Sequence, residues 1–413
     1  MNFDFAMLHR RGLLALGGSA LVAAAMPRAL AQTASSVVKI GVIADQSGPY
    51  ADNGGPGSAL AARMAIEDRG GVVLGKAIQL LVADDQNKPD IGVAAARRWL
   101  DADGVDVIVG GSASSIALAT QDLMKQHSKP YLLAGTASSE LTNSACSPMG
   151  QQWVIDTYSL PKATAQTLVK QGKDTWFFVT VDYAFGKQWE ADTTRFISQA
   201  GGRVVGSVRH PLNTADFSSF LLMAQNSGAK VIALANSGAD FNNAVKQAHE
   251  FGITQGGQTL APLGLYINQV HALGLDMAKG LTLTTPFYWD QNEGTRAFAK
   301  RFMAAFNGRV PNEAQAGTYS AVTHYLKAVE AAGGTDGPAV VAKMHELPIN
   351  DFSMKDVRIR EDGQVMRPMY LAEVKAKEDS KYPYDYYAIK STIPAEEAWR
   401  PASESVCPLL KRI

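Results

Sequence analysis

The sequence predicts an α/β protein with two doubly wound, parallel-sheet lobes. From residue 37 onward, short apolar runs alternate with helical patterns, the signature of βαβ units whose sheets are covered by helices. That alternation restarts after a polar stretch, so the two halves look alike in architecture. The 413 residues also exceed the span of one ordinary core. With 46% apolar and 19% charged residues, the chain is too apolar to be disordered.

Residues 37–44 (VVKIGVIA) form a run suited to burial on both faces. A polar, glycine-rich loop follows, and then a helix over 57–68. Strands over 77–83, 105–110 and 130–134 alternate with helices over 90–102 and 115–126. The second half begins with TWFFVTV at 175–181 and continues with strands over 203–208, 230–235, 259–263 and 281–285. Helices over 185–200, 215–227 and 239–251 lie between them. Helical patterns return at 295–307, 313–332 and 337–346, and the tail adds strand-like segments at 368–374 and 384–389. Gly256-Gly257, Gly333-Gly334 and Asp362-Gly363 mark turns. A cleft between two such lobes would hold a ligand at the carboxyl ends of the strands.

The N-terminus has the form of an export signal. His9-Arg10-Arg11 supplies a basic region, residues 12–26 an apolar run, and Ala29-Leu30-Ala31 a small-x-small cleavage site, which puts the mature start at Gln32. The apolar run is shorter than the roughly 20 residues that span a bilayer. Its paired arginines are compatible with the twin-arginine route as well as the ordinary one. Export places the protein in the periplasm, where Cys146 and Cys407, the only two cysteines, are each other's sole candidates for a disulfide. That bridge would tie the tail back to a loop near residue 146.

Charge and motifs exclude several functions. Lys+Arg and Asp+Glu are both 39 over the whole chain, and removal of residues 1–31 leaves 36 and 38, so no basic excess exists to neutralise the phosphates of a nucleic acid. Two cysteines rule out a four-thiolate zinc site. His249-Glu250 and His345-Glu346 lack the second histidine of a zinc-protease motif, and GxxxxGK[ST] and GxSxG are missing. Gly55-Pro56-Gly57 lacks the third glycine of a dinucleotide fingerprint. Asp84-Asp85 lies at a strand end, where adjacent side chains point apart, and reads as a loop-ordering pair. No catalytic residue, cofactor or metal is implied.

The strand-to-helix loops carry the chemistry. Gly110-Gly111-Ser112-Ala113-Ser114-Ser115 follows one strand and opens a helix, and Gly135-Thr136-Ala137-Ser138-Ser139 repeats the arrangement after the next. Helix starts offer free N–H groups and a positive dipole end, suited to a carboxylate. The same serines and threonines also serve as plain helix caps.

These residues resemble the extracytoplasmic solute-binding proteins of ABC importers, of the branched-chain amino-acid type with the type I periplasmic binding fold. The similarity runs from Lys39 to Pro408 through IGVIADQSGPYADNGGPGSALAARMAIED, LLVADDQNKPDIGVAAARRWL, VIVGGSASS, LLAGTASSELT, VTVDYAFG and AGTYSAVTHYLKAVE. A subgroup sharing DTWFFVTVDYAFG, RHPLNTADFSSFLL and PYDYYAIKSTIPAEEAWRP includes importers of aromatic acids. The resemblance implies two lobes joined by a three-crossing hinge: 32–157 with 286–350, and 158–285 with 351–395, followed by a tail over 396–413 tied back to the first lobe. It implies a ligand carboxylate held by Ser114, Ser115, Thr136 and Ala137, covered by Tyr50, and closed over by Tyr183, Asn236 and Ser237. The implied partners are a small-molecule carboxylate and a membrane permease, with no nucleic acid and a monomeric protein. The family's position for the acid that holds a ligand ammonium falls on Leu263, and a buried ammonium without a counter-charge is costly. An aromatic carboxylate therefore fits better than an amino acid, with Tyr50, Tyr183, Phe287 or Trp289 as flat surfaces. Asp240 is the alternative counter-charge, which would restore an amino acid. Presentation of the closed state to a signalling receptor is the alternative role.

Overall fold

The computed structural model describes residues 37–110 and 113–410. The expected export signal lies outside them, as do Gly111 and Ser112 of the first loop. The strand β1 (Val37–Ala44) is buried on both faces from Ile40 onward, as its apolar run requires. A Cβ on Gly41 would lie 2.5 Å from the ring of Trp99, so this glycine makes room for the indole. The strands β3 (Lys76–Asp84) and β4 (Val107–Gly110) pair in parallel on either side of β1. The short strand β2 (Val72–Val73) runs antiparallel to β3, while β5 (Tyr131–Leu133) and β6 (Gly150–Gln152) extend the other edge in parallel. The order is thus β2-β3-β1-β4-β5-β6, and the winding reverses between β1 and β4. The connecting helices are α1 (Gly55–Glu67), α2 (Pro89–Arg98) and α3 (Ser114–Gln126).

The second half repeats the plan. The strand β7 (Thr175–Val181) lies between β8 (Arg203–His210) and β9 (Val231–Ala235), with β10 (Thr259–Pro262) outside β9, all parallel. Here the winding reverses between β7 and β9. Its helices are α4 (Ser159–Lys170), α5 (Ala184–Gln199), α6 (Ser218–Asn226), α7 (Gly238–Glu250) and the short α8 (Ile267–Leu273) and α9 (Leu275–Ala278). After β11 (Thr282–Thr285) the chain leaves for α10 (Glu293–Ala305), α11 (Glu313–Ala332) and α12 (Gly337–Glu346), and then returns to β12 (Met369–Val374), β13 (Tyr387–Ile393) and α13 (Ala395–Ala398). Because α11 packs against α1 and α12, the chain passes between the halves after β6, after β11 and after α12. Aromatic side chains bridge these crossings: Trp153 and Tyr158 join the core of β1 and α11 to Phe178 and Phe196.

Besides the short elements β2, β6, α8, α9 and α13, which the patterning does not show, three features depart from the sequence expectation. The strands β11, β12 and β13 form a separate antiparallel sheet instead of joining the parallel one. The last strand begins at Tyr387, not 384, because Tyr384 takes φ 64°, a left-handed turn in which Asp385 accepts from Lys381 N at 3.0 Å. The helix α4 was hidden by Pro161, which lies in the first turn, where no backbone N–H is needed. The expected bridge is present: Cys146 and Cys407 are joined, with Cα atoms 5.8 Å apart. Val406 N also donates to Asn143 Oδ1 at 2.9 Å, which fixes the tail beside that loop. No helix among the described residues is long and apolar enough to cross a membrane.

Candidate functional site

The two winding reversals face one cavity. Its walls include Ala44 and Gly110 at the ends of β1 and β4, and Tyr183 and Ser237 just beyond β7 and β9. Ligands bind at such switch points in open α/β sheets. Gly135 and Ala137 after β5, Gly264 to Tyr266 after β10, and Phe185 and Trp189 of α5 complete most of the lining. Counted out to its mouth, open solvent included, the empty volume is about 690 Å³.

Three helices, α1, α5 and α7, begin at this wall, whereas Ala113 and Ser114 at the start of α3 lie outside its lining. The N-caps of the three, Gly54, Tyr183 and Ser237, make no side-chain capping bond. First-turn N–H groups other than that of Ala239 are therefore open to an anion, and the dipoles favour one. Gly110 has φ 126°, and a Cβ there would lie 2.1 Å from Ile43 O, so only glycine lets β4 turn into the cavity wall.

Contacts cross the cleft directly. The hydroxyls of Tyr50 and Tyr183 lie 2.8 Å apart, and burial raises both above the ordinary tyrosine range, so both remain neutral. Asn53 Nδ2 donates to Ser237 Oγ at 3.2 Å, and Ala239 N donates to Pro49 O at 3.4 Å. The loop carrying Tyr50 is ordered from below: its N–H donates to Asp45 Oδ2 at 2.8 Å, and Gln46 N donates to Asp84 Oδ1 at 2.9 Å. Asp84 thus orders the loop, as its place at a strand end suggested. Deeper in, Ser139 Oγ and Thr157 Oγ1 donate to Asp192 Oδ2 at 2.7 and 2.8 Å, and Arg400 of the tail reaches Asp192 Oδ1 at 3.3 Å.

Of the residues expected at the ligand, Tyr50, Ala137, Tyr183 and Ser237 line the cavity. Ser114, Thr136 and Asn236 are buried and lie outside its lining; Ser114 Oγ, Thr136 Oγ1 and Asn236 Oδ1 have no hydrogen-bond partner among the described residues. Ser115 is half-buried and Leu263 is packed in the core, both also off the wall. Phe287 packs instead among Phe298, Phe302 and Met64, and Trp289 Nε1 donates to Tyr384 O at 3.0 Å. The aromatic surfaces of the cavity are therefore Tyr50 and Tyr183, as expected, together with Tyr266 and with Phe185 and Trp189 in the first two turns of α5. Asp240 accepts from Asn213 N at 3.2 Å and is likewise off the wall; burial raises it to about 6. Leu263 had suggested a cleft without a carboxyl group, but Glu313 at the start of α11 lines the cavity. It came from an element whose sequence read only as a long helix.

A two-lobed fold with a cleft at both switch points is the architecture of a binding protein of the periplasmic type. The chain matches the periplasmic binding protein family over residues 37–380 and belongs to it. It is similar to a periplasmic binding protein from Burkholderia mallei, at 46% identity, TM-score 0.89, 91% of this chain and 100% of that one. It is similar also to a branched-chain amino-acid ABC transporter periplasmic ligand-binding protein from Burkholderia xenovorans, at 39% identity, TM-score 0.80, 91% of this chain and 100% of that one. A solute-binding protein of an ABC transporter from Rhodopseudomonas palustris, in complex with 3,4-dihydroxybenzoic acid, shares the fold at 22% identity and TM-score 0.79, over 87% of this chain and 98% of that one. The protein is a solute-binding protein of the branched-chain amino-acid ABC transporter type, not an enzyme.

Proposed function

We propose that the protein captures a small aromatic carboxylate in the cleft and delivers it to the permease of an ABC importer. The observation that carries this reading is the pairing of uncapped helix starts, those of α1, α5 and α7, with an aromatic wall: N–H groups for a carboxylate, and Phe185 and Trp189 for a flat apolar body. The Rhodopseudomonas palustris relative with a bound dihydroxybenzoic acid adds support at the level of the fold. The carboxylate meets the helix starts on the wall and the loop at Gly135 and Ala137. Tyr50 covers it from one half, while Tyr183 and Ser237 close from the other.

A thermal-shift screen against aromatic acids, aliphatic acids and branched-chain amino acids tests this. A ligand at about 100 times its dissociation constant stabilises by roughly 2.7 kcal/mol, which raises the melting temperature by several degrees. A shift with an aromatic acid is the expected result. A shift confined to amino acids would keep the family and overturn the ligand class.

A further inference from the structure

Among the described residues, Glu313 is the one carboxyl-bearing side chain on the cavity wall. It follows Asn312, whose Nδ2 donates to Asn53 O at 2.8 Å and to Asn268 Oδ1 at 3.0 Å. These bonds pin the start of α11 against the cleft. An acid in a helix's first turn normally faces water and complements the dipole. Glu313 instead is only 5% exposed, at a far greater cost than that complement returns. It is nonetheless part of the cavity wall.

We propose that Glu313 selects the ligand, exchanging a hydrogen bond with a neutral hydroxyl that the ligand carries away from its carboxylate. This rests on the carboxylate reading above. The helix starts already serve the anionic end, so Glu313 is left for the remainder of the molecule. Burial pushes its carboxyl up to about 8, against the weaker pull of its own backbone N–H and of the Arg367 guanidinium. The other groups facing it are Tyr266, after β10, and Tyr387 of β13, both held neutral by burial. Arg367 Nη2 is engaged with Pro286 O at 2.8 Å. The neutral acid offers one donor and spare acceptor capacity. A ligand ring without a polar group would leave its O–H without an acceptor, which is how a site built for a hydroxyl rejects the analogue lacking one.

Titration calorimetry near neutral pH with benzoate, 3- and 4-hydroxybenzoate and leucine tests this on the wild type, Glu313→Gln and Glu313→Leu, with circular dichroism to verify folding. The wild type should prefer a hydroxybenzoate over benzoate by about tenfold or more. Glu313→Leu should abolish that preference, and Glu313→Gln, whose amide also donates and accepts, should restore it to within about threefold. A preference unchanged in a folded Glu313→Leu protein overturns the proposal, and so does a Gln variant without preference. Wild-type binding of all three benzoates with equal affinity overturns it while leaving the proposed function standing. Tightest binding of leucine, lost in Glu313→Gln, would make Glu313 an ammonium counter-charge and overturn both readings. Failure of all four compounds to bind would also overturn both.

Discussion

At the start of α11 two effects on Glu313 oppose each other. The helix dipole stabilises an ionised acid there by about 0.3–1 kcal/mol, whereas taking that charge out of water costs several times more. Burial wins, and the group titrates near 8 instead of its ordinary 4.5. Its contribution to stability is therefore complete below the unfolded value and is lost as the pH rises through the folded one. Asp85, raised to about 7, and Asp156 and Asp240, raised to about 6, act in the same direction, also by burial. Glu313→Gln keeps the shape and removes only this titration. In the ligand-free protein, the variant's melting temperature relative to the wild type should rise by a few degrees between about pH 5 and pH 8. Scanning calorimetry across that range measures it, and a constant difference would show that Glu313 ionises freely in the folded protein.

The cleft elements show what patterning can and cannot reveal. The strand β1 and the helix α11 have the boundaries their periodicity predicts, because apolar runs and a capping asparagine are local signals. Of the cavity residues, Tyr50, Tyr183 and Ser237 came from the family resemblance and not from patterning; Tyr183 and Ser237 are the N-caps of α5 and α7, and Tyr50 lies in the loop before α1. Glu313 was not legible, because an acid in a first turn looks the same whether it faces water or a cavity, and only the packing of α11 beside Asn53 decides which. The antiparallel third sheet escaped for a similar reason, since its β11–β12 pairing joins segments about ninety residues apart. One element makes a prediction of its own. The helix α7 begins at Gly238, with φ 61°, where a Cβ would lie 2.3 Å from Pro49 O across the cleft. Gly238→Ala should hold the halves apart and weaken ligand binding by about tenfold or more, a cost of at least about 1.4 kcal/mol. The fold should lose only the smaller strain of an alanine at positive φ. Calorimetric titration beside a melting curve separates the two; equal affinity would mean that the halves need not meet at Pro49.

For the whole molecule, the tail ties the two halves together. Cys407 anchors it to Cys146 in the first half, while Arg400 reaches Asp192 and Glu404 pairs with Arg195, both on α5 of the second. The same Asp192 accepts from Ser139 and Thr157 across the cleft, so the tail grips the surface along which the halves meet. Hinge closure around a ligand requires these contacts to form and release together. A strap covalently fixed at one end keeps Arg400 near Asp192 even when the cleft gapes, which limits the opening. Replacing both cysteines with serine frees that end. It also removes a closure of 261 residues, whose chain entropy in the unfolded state is worth up to about 5 kcal/mol, so the melting temperature should fall. Small-angle scattering should then show a ligand-free variant more expanded than the ligand-free wild type, and a ligand-bound variant of the same size as its counterpart. An identical ligand-free size in the two proteins would show that the interface at Asp192, and not the strap, sets the opening.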